Sequence, residues 1–146
     1  MTEENKPVLA TEEKTLLRSD VTLNVLIDYV NEFPVEIGIT LFVQGSIISG
    51  LLIGEKAYFE GLSNHIKTPD PFAEHFQKIV ALLQSLDTSL ASNRKEQNQL
   101  ENIFIHLKDA NFCSGNSLVP NNRGTYWRGR LRCVDGFSLG QLGSKN

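Results

Sequence analysis

The chain has 146 residues, 40% of them hydrophobic and 21% charged, an ordinary globular composition sufficient for one domain with one core. Fourteen Lys and Arg against seventeen Asp and Glu leave a net charge of -3, without the basic footprint of a general nucleic-acid binder. The longest apolar run, Ile47–Ile48 and Leu51–Ile53 around Ser49 and Gly50, is far short of the ~20 residues a membrane helix needs, and the acidic N-terminus is not a signal peptide.

Residues 1–15 are polar and acidic and read as a mobile tail, with a single domain over residues 16–142. Ser19 or Asp20 can cap a helix in which Leu23, Leu26, Ile27 and Val30 share one face, and Pro34 stops it. Ile37, Ile39, Leu41 and Val43 then alternate with other residues as in a strand, and Gln44–Gly45 reads as a tight turn. Ser46–Ile53 is apolar on both faces, as in a strand covered from two sides. Gly54–Glu55 turns the chain into a short third strand at Ala57–Glu60, completing a three-strand meander.

Residues 64–70 read as a loop, and Asp70–Pro71 as a cap followed by proline at the first helical position. Phe72, Phe76, Ile79, Val80, Leu83 and Leu86 form a helical stripe, and the polar stretch 87–99 frays toward a loop. Ile103, Ile105 and Leu107 alternate with Phe104 and His106, and Asp109–Ala110 turns into a short strand over 111–113. A Gly-, Ser- and Asn-rich loop over 114–124 leads into the last long strand, Thr125–Val134, and then Phe137–Leu139. The order predicts an α+β fold: one compact domain of mostly antiparallel sheet, a three-strand meander plus C-terminal strands, with two packing helices.

No enzyme signature accompanies these elements. His65, His75 and His106 have no metal-ligand spacing; they read as a loop residue, a helix flank and a half-exposed strand residue. Cys113 and Cys133 lie twenty residues apart without a C-x-x-C, which suits a reducing, cytoplasmic protein in which each is a small buried hydrophobe. There is no Walker A and no G-x-G-x-x-G. Neither a catalytic residue, nor a metal, nor a cofactor is expected.

The last strand is the informative segment. Trp127, Gly129, Leu131 and Cys133 alternate onto one face, and Arg128, Arg130 and Arg132 onto the other, with Arg123 just upstream. Residues 121–146 hold five basic residues and one acid, while residues 1–120 hold nine basic and sixteen acidic. The arginine face is expected to recognise an acidic protein segment, with Tyr126 and Phe137 as apolar anchors, because the guanidinium fork pairs bidentately with carboxylates. The competing reading is a solvated face matched by acids of the same fold. The two apolar faces of Ser46–Ile53 also predict a homo-oligomer, unless the Phe72 helix covers one of them. Neither a membrane nor a nucleic-acid partner is expected.

Three segments carry a resemblance: ITLFVQGSIISGLLIGEKAYFEG at 39–61, IFIHLKDANF at 103–112 and NRGTYWRGRLRCVDGFSLGQL at 122–142. Together they resemble the gas-vesicle accessory protein U family over most of residues 20–142, with the C-terminal segment the most specific. The resemblance implies a small non-enzymatic protein acting in gas-vesicle assembly or clustering through protein contacts, with a gas-vesicle shell protein as candidate partner. It carries over motif positions Tyr58, Phe59 and Glu60; His106, Leu107, Asp109 and Ala110; and Arg123, Gly124, Trp127, Arg128, Gly129 and Arg130. Val134, Gly136, Phe137, Ser138, Leu139 and Gly140 complete the set. The alternatives from other classes are an Sm-like small barrel binding RNA and an enzyme of unrecognised type.

Overall fold

The first helix forms where its caps allow. Asp20 Oδ1 accepts from the backbone N–H groups of Thr22 (2.8 Å) and Leu23 (3.2 Å), starting α1 (Val21–Glu32), and Phe33, preceding Pro34, turns extended and ends it. The computed structural model describes residues 19–65, 71–96, 101–121 and 123–143. The expected tail over 1–15 and the cap at Asp70 lie outside the described residues.

Strands β1 (Ile37–Val43) and β2 (Ser46–Ile53) form the predicted hairpin. Its turn residues Gln44 (φ 48°) and Gly45 (φ 87°) are both left-handed, the two-residue geometry whose twist matches the strands. The expected third strand is a helix instead: α2 runs Glu55–His65. Both edges of β2 are occupied, by β1 and by the distant β3 (Phe104–Ser114), so Ala57–Glu60 has no ladder left to join there. A cap from another element favours the helix, since Asn31 Oδ1 at the end of α1 accepts from the Glu55 N–H at 2.9 Å.

Helix α3 (Pro71–Glu96) is longer than the sequence suggested, continuing through the polar residues 87–96. Its inward positions recur every seven residues at Ala73, Val80 and Asp87, so the buried face turns polar where the apolar stripe ends. Arg94 extends the pattern, donating from Nη1 to the Glu101 carbonyl at 2.9 Å. Strand β3 also differs: it is continuous, and Asp109 (φ 54°) forms an irregularity inside it rather than a turn out of it. Strand β4 (Ser117–Val119) folds back on the far end of β3, within the expected loop.

The last predicted strand is broken in two. β5 (Thr125–Arg130) pairs with the near end of β3, a 3-10 turn spans Leu131–Cys133, and β6 (Val134–Leu139) pairs with β1. All pairings are antiparallel. Along the path β5-β3-β2-β1-β6, a flat sheet would hold its outer strands about 19 Å apart. Only the three-residue turn joins them, and at about 2 Å of rise per residue it spans roughly 6 Å. The sheet therefore curls. Helices α2 and α3 are inserted between β2 and β3 of this curled sheet.

Two apolar clusters follow from the two faces of β2. Leu52 belongs with Leu23, Ile27 and Val30 of α1, with Ile39 and Leu41, and with Ile105 and Leu107; the next residue, Ile53, belongs with Tyr58, Phe59 and Val80 of the helical hairpin. Both faces are thus covered within one chain. The α+β class and the antiparallel sheet are as expected, with three described helices rather than two. No described helix is long and apolar enough to cross a membrane.

Leu107 has no exposed surface and pairs with Leu52 on one side and Trp127 on the other. Leu107→Ala is expected to cost about 2–5 kcal/mol. A denaturation midpoint unchanged from wild type would place Leu107 outside the core.

Candidate functional site

Three motif segments distant in sequence meet at Arg128. Its position on β5 is opposite His106 on β3, which is opposite Ile53 on β2, so the three side chains share the sheet face covered by α2 and α3. The guanidinium forms a fork on Asp87 of α3, Nη2 to Oδ1 at 2.7 Å and Nη1 to Oδ2 at 3.2 Å. Only 25% of the Arg128 side chain and 6% of that of Asp87 are exposed. The guanidinium also stacks 3.7 Å from the Phe104 ring centroid and lies 5.7 Å from that of Phe59. Tyr58 packs on His106 at 4.7 Å between ring centroids.

The protonation states follow from these contacts. Arg128 Nη1 lies 2.9 Å from His106 Nε2, and a guanidinium can only donate, so that nitrogen accepts and the ring is neutral. Burial, aided by the Arg128 charge, pulls the His106 pKa down to about 4. Burial pushes the Glu55 carboxyl up to about 8, helped by its hydrogen bond to Asp87 and the Asp87 charge. Glu55 at the start of α2 is therefore protonated at neutral pH and donates to Asp87. Burial opposes charge on Asp87 as well, but hydrogen bonds from Arg128 and Glu55 outweigh it and hold its pKa below the ordinary value. The network ties α2, α3, β3 and β5 together.

A second polar knot lies beside it. Asn102 donates its backbone N–H to Asn24 Oδ1 at 2.7 Å and its amide to Asp28 Oδ1 at 2.9 Å, tying the entrance of β3 to α1. Glu101 is buried, accepting from Arg132 Nη2 at 3.4 Å through Oε2, while its Oε1 has no hydrogen-bond partner among the described residues. Glu101, Asn102, Ile103, Phe104, Arg130 and Arg132 line a hollow of about 330 Å³.

The expected arginine face is thus divided. Arg128 is an internal anchor, whereas Arg130 and Arg123 are exposed. Arg132 has left the strand for the 3-10 turn and pairs with Glu101, with 56% of its side chain exposed. Tyr126 points to the helical hairpin, where its ring fills the space a Cβ on Gly61 would take, and Phe137 packs half-buried against the α1 cluster. His106, expected to be half-exposed, is buried because α2 covers its face.

The remaining motif positions also serve the fold. Trp127 packs against the α1 cluster with its ring over Gly129, where a Cβ would sit 2.2 Å from the indole. Asp109 Oδ1 accepts from the Gly124 N–H at 2.9 Å, and a Cβ on Gly124 would fall 2.1 Å from the Asp109 backbone. Gly136 and Ser138 pair with Phe42 and Thr40 of β1, and the Gly140 carbonyl accepts from Thr40 Oγ1 at 2.8 Å. Glu60 is exposed on α2. His65 ends α2 rather than lying in a loop, and it and His75 are exposed. Cys113 and Cys133 are unpaired and half-buried.

Composition and spacing had not singled out Glu55, Asp87, Glu101 or Asn102. The one available signal was Asp87 falling seven residues after Val80 on the inner face of α3. Among the described residues no group of three or more His, Cys, Asp or Glu could hold a metal ion.

Residues 20–142 match the family model described as Gas vesicle protein GvpU-like. No curated protein and no solved structure gives a match.

Two measurements test the network. Arg128→Met leaves Asp87 buried without its partner and is expected to cost about 3–5 kcal/mol; a variant as stable as wild type would make the pair superficial. The pKa of Glu55 is raised on folding, so its contribution is complete below about pH 4.5 and lost as pH rises through about 8. Glu55→Gln removes that loss, so its stability relative to wild type should rise between pH 5 and pH 9. A difference constant over that range would show that Glu55 ionises normally.

Proposed function

The chain belongs to the GvpU-like gas-vesicle protein family, and on that premise we propose that it acts in gas-vesicle assembly or clustering by protein contacts, without catalysis. The family places it among gas-vesicle-related accessory proteins. The partner we infer is an acidic segment of a gas-vesicle shell protein.

One observation supports this reading above the others. Arg130 and Arg132 flank a 330 Å³ hollow whose lining includes Ile103 and Phe104, so cationic groups stand beside apolar surface. An acidic side chain can pair with the guanidinium fork while its neighbours lie on the apolar wall. Arg123, also exposed, stands apart from this hollow, where the chain enters the opposite end of β5. The basic C-terminal block belongs to an otherwise acidic chain, a contrast that steers an acidic partner to one region. Arg128 has no part in this contact, since it is held by Asp87.

Replacing Arg123 and Arg130 by Gln removes two exposed charges and leaves the buried Glu101 with Arg132. Stability should change by no more than about 0.5 kcal/mol. Co-flotation with purified gas vesicles should be lost, and for wild type it should weaken as salt rises. A double variant that floats with vesicles as wild type does would reduce the arginines to a solvated surface. Tight binding of a short single-stranded RNA at physiological salt would favour the small-barrel alternative instead.

A further inference from the structure

Helix α3 meets the rest of the chain with only part of its apolar surface. Ala73, Val80 and Asp87 face inward, whereas Ile79 (48% exposed), Leu82 (62%), Leu83 (46%), Leu86 (57%) and Leu90 (48%) do not. A run of large aliphatic side chains left half in water along one helix is unusual for a monomer, where such contiguous patches mark contact surfaces.

The spacing of these residues carries more than their exposure. Phe76, half-buried against the Ile53 cluster, and the exposed Ile79, Leu83, Leu86 and Leu90 step by three, four, three and four residues, the a/d repeat of a coiled-coil seam. Between Phe76 and Leu90 the helix rises about 21 Å. Beside it, Leu62 of α2 and Phe104 of β3 join Leu83, Leu86 and Leu90 around a mainly apolar groove of about 220 Å³, with the paired Asp87 and Arg128 also in its lining, that can receive a knob from a facing helix. The charges of α3 lie off the seam; Glu74 and Lys78 pair with each other at 3.3 Å, both well exposed.

We propose that α3 is a dimerisation helix, and that the occupant of this seam is α3 of a second copy of the chain, packed antiparallel about a two-fold axis beside Leu82 and Leu83. The seam is close to palindromic about that point. The axis sets Ile79 of one copy against the partner's Leu86, Phe76 against the partner's Leu90, and Leu83 against its symmetry mate. In the antiparallel arrangement the helix dipoles oppose, whereas parallel packing would set like dipole ends together. A closed two-fold contact of this kind uses the same patch on both copies and stops at the dimer.

Sedimentation analysis of the full chain is expected to give a mass near twice the 16.3 kDa of one copy. Leu82→Lys places a charge beside the axis, flanking the seam at a residue 62% exposed, where it disturbs no core contact. It should weaken dimerisation at least tenfold with an unchanged circular dichroism spectrum. Orientation is read by cross-linking in a background with Cys113 and Cys133 replaced by Ser. Ile79→Cys combined with Leu86→Cys should form an intersubunit disulfide, and Ile79→Cys alone should not. A wild-type mass near that of one copy throughout the micromolar range would overturn the proposal, as would a Leu82→Lys dimer of undiminished affinity. A disulfide formed by Ile79→Cys alone would overturn the antiparallel arrangement.

Discussion

The fork between Arg128 and Asp87 is the constraint on which the arrangement of this protein turns. It joins the middle of the longest helix to a strand 41 residues later, and it does so in a largely desolvated setting between Phe104 and Phe59. A buried ion pair is a weak source of net stability, because desolvation offsets much of the attraction; its strength lies in what happens when one partner is missing. Here it comes with a histidine whose Nε2 accepts from the guanidinium and a glutamate whose pKa is raised beside the shared carboxylate. The helical hairpin can therefore dock on the sheet in one rotational setting, with Asp87 inward and the leucine seam outward.

The curl of the sheet is the second determinant. A three-residue turn takes the chain from β5 at one side of β3 to β6 at the far side of β1. Leu131, buried in that turn, donates its N–H to the Ile103 carbonyl at 2.9 Å and seals the junction. The same turn carries Arg132 away from the line of β5 and toward Glu101. The arginines that alternate in sequence are thereby sorted into an internal anchor, an exposed rim residue and the partner of a buried acid.

This sorting changes what the family motif means. Most of its described positions are explained by folding: Arg128, His106, Tyr58 and Phe59 build the polar network, Trp127 and Gly129 close the α1 core, and Asp109 and Gly124 lock a crossing of two backbones. Such residues specify a shape. Surfaces suited to meeting other molecules lie largely beside them, at the rim around Arg130 and along the outer face of α3.

Local chemistry in the sequence was sufficient for α1, for the β1–β2 hairpin and for the antiparallel α+β class, because caps, a two-residue turn and alternating aliphatics act within a few residues of one another. It was not sufficient for Ala57–Glu60, whose helix depends on Asn31 for its cap and on a β2 edge already taken by β3. Nor could it decide the length of α3, since the polar residues after Leu86 meet Arg128 and Glu101, contacts that only the folded chain supplies. The heptad spacing of α3 was legible from the start as an apolar stripe. Which side of that stripe would be covered was not, because a period fixes a direction around the helix axis and only the docked sheet decides which direction is inward. In the same way the sequence by itself determined that three arginines alternate near the C-terminus, while tertiary structure alone decided which one loses its water: pairing across the fold depends on the position of Asp87, and no spacing along the chain encodes that.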